Sequence, residues 1–345
     1  MNYFWVAISG IVLSLIFTVL ARRFFPRWGL LDKPHKYGLN RAPIPYFGGV
    51  TIVLAFLIGA AIFLKWENRL LIFLGLALLV AMVSFLDDLK GISPYIRLLL
   101  QIGAGAALYF SGIQVMALPN PIGPEINLMS WQWGGVAVLS LLATIFWLLL
   151  IMNTLNWSDG LNGLASGVSA IASLVIFLLA VKPGIHLVDQ TPVAVMALLL
   201  ASILLVFAAQ EFYPARILMG DTGSMFLGFM LAGLTIYSGG KLGTALLVLG
   251  FPILDALWVI LRRILSKRSP LKGDLQHFHH RLLYAGLSQR QALVVIYLAS
   301  AMFGLLALVL GSGQKIWAII GLVATMAVIG LTVVVLEVEK SRKKA

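Results

Sequence analysis

Apolar runs of about twenty residues recur along this chain, and no other feature of the sequence limits its fold so tightly. They lie at about 3–21, 46–64, 69–86, 95–113, 134–152, 162–181, 191–209, 223–238, 242–264, 291–311 and 315–336, the run at 223–238 being short. A helix needs about 20 apolar residues to cross the hydrocarbon core of a bilayer. Composition agrees: 61% of the residues are hydrophobic and 11% charged, against roughly 45–50% and about 25% in a soluble domain. A soluble core could not hide that much apolar surface. Eleven spans take about 220 residues, which leaves no room for a separate soluble domain of ordinary size. The expected fold is therefore an all-α polytopic membrane protein of about eleven transmembrane helices, forming a single domain over 1–345. The first apolar run has no basic segment before it, since Arg22-Arg23 follow it, and it reads as a retained span rather than a cleaved signal.

Charge placement sets the expected orientation. With the N-terminus outside and the C-terminus inside, the outer segments hold only Lys65, Arg69, Lys182, Lys241 and Lys315 of the 25 lysines and arginines. All the others fall on the inner side, the asymmetry of a positive-inside chain. The net charge of +12 thus marks a membrane face and not a nucleic-acid partner. Of the acids, only Glu67, Glu125 and Asp189 fall outside. Asp32, Asp87, Asp88, Asp159, Glu211, Asp221 and Asp274 gather at the inner ends of spans, the pattern of a site open to the cytoplasm. A transporter more often carries its acids near the midplane, and no inverted repeat is present. The absence of cysteine excludes disulfides, thiolate catalysis and Cys-ligated metals. Turn residues Pro119, Pro121, Gly123 and Pro124 within 114–133 predict a small outer hairpin.

Four inner segments carry chemistry. Phe85-Leu86-Asp87-Asp88-Leu89-Lys90-Gly91 closes the third span, so two carboxylates meet the negative end of a helix dipole. Lys90, one turn from Asp87, offsets part of that charge, and a magnesium ion shared with a substrate phosphate would offset the rest. Solvated charges at a membrane boundary are the competing reading. Met219-Gly220-Asp221-Thr222-Gly223-Ser224 opens the eighth span and reads as a phosphate cradle of free N–H groups, with Asp221 placed to hold a metal. A capped helix start is the alternative. The link Asn153-Thr154-Leu155-Asn156-Trp157-Ser158-Asp159-Gly160-Leu161-Asn162-Gly163-Leu164 holds more amides, glycines and acid than a tight turn needs. Asp274-Leu275-Gln276-His277-Phe278-His279-His280-Arg281 lies in the longest inner loop. Its histidines lack a Cys or Glu to complete a zinc site and suit phosphates better, while contact with anionic lipid is the bland alternative. Asp255, inside the ninth span, is expected to face protein and to pair with Arg262. Asp32-Lys33-Pro34-His35 and Arg41-Ala42-Pro43-Ile44-Pro45-Tyr46-Phe47-Gly48-Gly49 shape the first inner loop.

Together these segments resemble the polyprenyl-phosphate N-acetylhexosamine-1-phosphate transferase family, in that family's order, from Asp32-Lys33-Pro34 to about Arg290. The segment His277 to Leu283, followed by Gly286-Leu287-Ser288-Gln289-Arg290-Gln291, is similar to the UDP-GlcNAc branch. The resemblance implies Mg2+-dependent transfer of N-acetylglucosamine-1-phosphate from UDP-GlcNAc to a polyprenyl (undecaprenyl) phosphate with release of UMP, Mn2+ being the alternative ion. It implies that Asp221, with Asn156, holds the metal, that Asp87 and Asp88 form the catalytic pair, and that Lys90 meets the diphosphate. Asn156, Asp159 and Asn162 would line the nucleotide pocket, with Arg41 near the uracil. His277, His279, His280 and Arg281 would contact phosphates or sugar. It also implies the inner cytoplasmic membrane, a cytoplasmic-facing site, envelope glycans such as teichoic acid or lipopolysaccharide, and a homodimer. Asn162 stands where Asp is frequent, and Leu218 where an aromatic often stacks on the uracil. Within enzymes the runner-up is phospho-MurNAc-pentapeptide transfer or another UDP-N-acetylhexosamine donor. From another class it is a lipid-linked transporter or flippase.

Overall fold

A computed structural model of the chain describes residues 1–34, 41–120, 123–183, 189–239, 241–267 and 277–342. The helices are α1 (Tyr3–Phe24), α2 (Gly48–Phe63), α3 (Asn68–Lys90), α4 (Pro94–Phe110), α5 (Val138–Ser158), α6 (Leu164–Ala180), α7 (Thr191–Glu211), α8 (Gly220–Tyr237), α9 (Leu242–Val248), α10 (Gly250–Leu265), α11 (Phe278–Tyr284), α12 (Gln289–Val309) and α13 (Ser312–Arg342). Every predicted apolar run falls on one of them except the ninth, which is split between α9 and α10. The only strands among the described residues are two-residue pieces between α4 and α5. There β1 (Ala117–Leu118) pairs with β2 (Ile126–Asn127) and β3 (Gln132–Trp133) with β4 (Val136–Ala137), both antiparallel. The expected hairpin is thus two short ones in sequence.

Among the described residues six helices are long and apolar enough to cross a membrane, namely α1, α3, α5, α7, α12 and most of α13. The predicted ninth span is a broken pair: α9 and α10 meet at Leu249 with a bend of 82°. Pro252 supplies the cause. It has no N–H for the Val248 carbonyl one turn earlier, and its ring crowds that carbonyl, so a helix running through this point stops and restarts with the proline in its first turn. Helices α2 and α6 are apolar but shorter.

Helices α7 and α8 form the centre. In α7 72% of the apolar window is buried, against 6% in that of α13, which places α13 at the periphery. The largest helix contacts are α6 and α1 on α7, and α5 and α3 on α8. Small residues let these backbones approach, as they do where lipid offers no hydrophobic drive between helices. At Gly49 of α2 an added Cβ would collide with the backbone of Gly223 on α8, and at Gly10 of α1 with Ser202 of α7. The close α2–α8 crossing brings α2 against the first turn of α8, where Gly223 sits.

Candidate active site

The first turn of α8 organises one end of the bundle. The chain leaves α7 through the cis Tyr213–Pro214 peptide bond and then runs beside the residues that precede α2. The Leu218 amide donates to the Pro45 carbonyl (2.8 Å), the Gly48 amide to the Leu218 carbonyl (2.8 Å) and the Gly49 amide to the Met219 carbonyl (2.7 Å). These bonds fix the start of α8, whose opening amides lack intrahelical partners. Three carboxylates from three other helix ends take them. The Met219 amide donates to Glu211 (2.9 Å) and the Gly220 amide to Asp159. Those of Asp221 and Thr222 donate to Asp88, each at 2.9 Å. The Thr222 hydroxyl also donates to Asp88, at 2.6 Å, as does the Tyr46 hydroxyl. The N–H cradle expected to face a phosphate is therefore filled by the protein's own anions, which the positive helix end favours for the same reason.

Asp87 and Asp88, about 100° apart around α3, turn to different partners. Asp87 is buried. Its Oδ1 accepts from the Ile92 amide (2.5 Å), which closes the end of α3, and its Oδ2 lies 3.1 Å from the Arg97 guanidinium. The same Arg97 Nη1 is 3.0 Å from Asp221 Oδ2. Arg97, in the first turn of α4, thus bridges Asp87 and Asp221. This corrects the expectation that Lys90 balances Asp87: Lys90 is exposed at the tip of α3, whereas Arg97 comes back across the short Gly91–Ser93 turn with its charge between the two acids. Asp87 Oδ2 still makes no hydrogen bond of good geometry.

Asn156 donates through Nδ2 to Asp221 Oδ1 (2.8 Å) and to the Ser224 hydroxyl (3.0 Å). Its oxygen accepts no hydrogen bond from a described residue. Asp159, which caps the end of α5, stands near Glu211, Asp221 and Asp88. Burial first, and then these neighbouring acids, push its pKa well above the ordinary carboxylate range. Asn162 lies half-buried in the same turn. Gly163 ends that turn with φ +89°, a left-handed conformation that favours glycine.

The histidine segment reaches this turn from the far side. His277 Nδ1 lies 3.1 Å from Asp255 Oδ2, and the Phe278 amide donates to Asp255 Oδ1 (2.7 Å). Asp255 thus serves the histidines rather than standing as a stray charge in α10. The His277 and His279 rings stack at 5.4 Å, and those of His279 and His280 lie 4.3 Å apart. A Cβ on Gly160 would meet His279 Nε2 at 3.4 Å and His280 Nε2 at 3.9 Å, so both rings face the residue after Asp159. His279 Nε2 is buried without a hydrogen-bond partner. Arg281 follows on α11.

Arg41 is tied to Asp32 through two hydrogen bonds, Nη2 to Oδ2 at 2.5 Å and Nη1 to Oδ1 at 3.3 Å. The Ile44 amide also donates to Asp32 (2.8 Å), so Arg41 closes the first inner loop on itself. Part of the Gly286–Gln291 segment that follows the histidines is structural: Ser288 and Gln291 form a capping box on α12, and Arg290 Nε donates to the Tyr213 carbonyl (3.1 Å). Asp274, Leu275, Gln276, Arg268, Lys272 and His35 lie outside the described residues. The sequence reading missed Arg97, Tyr46 and the role of Glu211. Arg97 lies ten residues from Asp87 on another helix, a distance that no motif spacing records.

Among the described residues no three of His, Asp and Glu are grouped to hold a metal ion by themselves. Yet Asp87, Asp88, Asp159 and Asp221 share this end, and Arg97 bridges two of them. An acid-rich group of this kind fits a magnesium ion, which takes one or two carboxylates and completes its shell with water and substrate phosphate.

The family profile described as "Glycosyl transferase family 4" matches residues 70–239, from α3 to the end of α8. The chain is 31% identical over 317 residues to a "Probable undecaprenyl-phosphate N-acetylglucosaminyl 1-phosphate transferase" of Bacillus subtilis (strain 168), covering 90% of this chain and 85% of that relative. It is 29% identical over 326 residues to a "Decaprenyl-phosphate N-acetylglucosaminephosphotransferase" of Mycolicibacterium smegmatis, covering 85% and 78%. It is 26% identical over 306 residues to the "Undecaprenyl-phosphate alpha-N-acetylglucosaminyl 1-phosphate transferase" of Escherichia coli (strain K12), covering 86% and 80%. With its acids gathered inside the matched segment, and with relatives similar over about four fifths of their length, the chain belongs to glycosyl transferase family 4 and groups there with these relatives.

Proposed function

We propose that the chain transfers N-acetylglucosamine-1-phosphate from UDP-GlcNAc to a membrane polyprenyl phosphate and releases UMP. The observation that carries this reading is the convergence of Asp87, Asp88, Asp159 and Asp221 on the first turn of α8, in a chain whose relatives bear the names of such transferases. In the reaction an oxygen of the lipid phosphate forms a bond to the sugar-bearing phosphorus, and the bond from that phosphorus to the UMP oxygen breaks. Catalysis of such a transfer rests mainly on positioning and charge stabilisation. Asp221 and the Asn156 oxygen would hold Mg2+, whose positive charge would stabilise the diphosphate and the leaving UMP. Mn2+ is the expected substitute.

The chain's own groups divide the remaining work. Asp88 holds the first turn of α8 still, which sets the position of Asp221. Asp87 faces the acceptor phosphate and keeps it oriented. Arg97 keeps Asp87 and Asp221 together despite their like charge. Asp159, Asn156 and Asn162 form one wall of the donor pocket, with His279, His280 and Arg281 opposite and His277 fixed by Asp255. Lys90 meets the diphosphate from the tip of α3, and Arg41 borders the nucleotide. The sites assemble at the cytoplasmic face of the inner membrane, in an eleven-span chain with N-out and C-in orientation, and the enzyme acts as a homodimer. The acceptor's hydrocarbon tail stays in the bilayer.

The test is incubation of purified protein with undecaprenyl phosphate, Mg2+ and separate UDP-sugars, with UMP and lipid-linked sugar measured together. Both products are expected from UDP-GlcNAc and lost with EDTA. Turnover of a different donor alone would move the specificity, while silence with every donor in folded protein would sink the reading. In the same assay Arg97→Ala is expected to lower kcat by about a hundredfold to a thousandfold, the usual cost of removing one preorganised charge donor. Arg97→Lys, which keeps the charge but not the fork, should recover part of it. An unchanged kcat in Arg97→Ala would make the bridge incidental.

A further inference from the structure

Helix α12 lies outside the segment 70–239 that the family profile matches, yet it reaches both inner connections that feed the carboxylate site. Its start is fixed by the Ser288–Gln291 capping box. In its first turn Arg290 Nε donates to the Tyr213 carbonyl, on the connection that leads to α8. About two turns further along, and so on the same face, the Tyr297 hydroxyl donates to the Gly163 carbonyl. Gly163 ends the turn that carries Asp159 and Asn162.

Helix α6 leaves room for this contact. A Cβ at position 167 would lie 2.0 Å from the Tyr297 hydroxyl oxygen and 2.1 Å from its Cζ. A side chain there would expel the ring, and glycine, a poor helix former, admits it. Gly163 is then tied from two sides. Its amide donates to Glu211 of α7, while its carbonyl accepts from Tyr297 and from the Gly167 amide (2.9 Å). The two peptide planes that flank its Cα are thus anchored to different helices, at a residue whose own backbone is free to rotate. The piece that supplies the hydroxyl also supplies the facing wall. Helix α11 places His279 and His280 towards Gly160 and runs into α12 through 285–288, a connection closed by the Leu287 amide on the Leu282 carbonyl (3.1 Å).

We infer that Tyr297 is a positioning residue: its hydroxyl seats the Asp159–Gly163 turn against α12 and so sets the separation of that turn from the histidine wall. That the space between them takes a nucleotide sugar rests on the proposed transfer reaction. The seating of the turn does not.

Tyr297→Phe in the full-length protein in detergent keeps the ring and removes the bond. The Gly163 carbonyl still accepts from Gly167, so no buried group is stranded and the fold should persist. Without substrate, amide deuterium exchange across 159–167 is expected to quicken about twofold to tenfold, the factor that one net hydrogen bond supports, with α4 as the unchanged reference. With UDP-GlcNAc and undecaprenyl phosphate, the donor KM is expected to rise about tenfold, while kcat and the lipid-phosphate KM stay within about twofold. Gly167→Ala, which keeps the hydroxyl but displaces the ring, should give the same pattern. Unchanged exchange over 159–167 in Tyr297→Phe overturns the inference. So does a fall in Tm with kcat and both KM values shifting together, the mark of general packing. If the parent chain turns over no donor, the transfer reading falls, and the exchange measurement alone decides whether Tyr297 seats the turn.

Discussion

Asp221→Asn is expected to lower UMP release by about a thousandfold or more, in the range seen when a charge that positions a transferring phosphoryl group is lost. Asp221 Oδ1 accepts from Asn156 and Oδ2 lies 3.0 Å from Arg97. An amide in its place can satisfy only one of these, because its NH2 group must face a donor in either orientation. The change also removes a negative charge from the position proposed to hold the metal. The fold should survive, since the backbone amide at 221 still donates to Asp88. Asp88→Asn is expected to lose as much turnover for another reason. Asp88 accepts from two amides and two hydroxyls, so its amide substitute should loosen α3 from α8 and lower Tm as well. Steady-state turnover and Tm in detergent, measured on both variants, separate the cases. Turnover of Asp221→Asn within tenfold of the unmodified protein would remove this residue from the mechanism.

Glu211→Ala should give the largest stability loss of any single change near the site. Glu211 is 1% exposed and accepts from the Ser166 hydroxyl (2.5 Å), the Met219 amide (2.9 Å) and the Gly163 amide. It thereby joins the end of α7, the start of α6, the turn after α5 and the first turn of α8. Each buried donor left without a partner costs about 1–3 kcal/mol, and stranding several together is expected to cost about 3–5 kcal/mol, the range for breaking a buried charged pair. Glu211→Gln keeps an acceptor oxygen and should lose less. The check is the midpoint of unfolding in mixed detergent micelles for both variants. A midpoint in Glu211→Ala equal to that of the parent would show that the network holds no stability.

Much of the architecture was legible because it is local. Each apolar run became helical, the ninth as a broken pair, since apolar residues in lipid must satisfy their own backbone groups. The acids that converge on the first turn of α8 were also visible, because Asp87, Asp88, Asp159 and Asp221 all terminate or begin helices on one side. Less legible was what each acid does. The Met219–Ser224 segment read as an open phosphate cradle, yet its amides hold Glu211, Asp159 and Asp88. Local reading identifies free N–H groups but not the helix ends that arrive to fill them. The ninth run read as one span because its hydropathy is continuous, whereas Pro252 imposes a bend of 82° between α9 and α10.

The amino-acid sequence by itself determined that this chain is a helical membrane protein, that its helices fall where they do, and that a group of its acids gathers at one end. These follow from hydropathy, helix length and the side on which charges sit, all of which act within a single segment. Only the tertiary structure decided that Arg97 rather than Lys90 joins Asp87, that Tyr46 reaches Asp88, that Asp255 orients His277, and that Tyr297 reaches Gly163. Those outcomes depend on how each helix is rotated and which neighbour it packs against. Periodicity fixes the face that a helix buries, but close packing among many helices fixes the partner that the face meets.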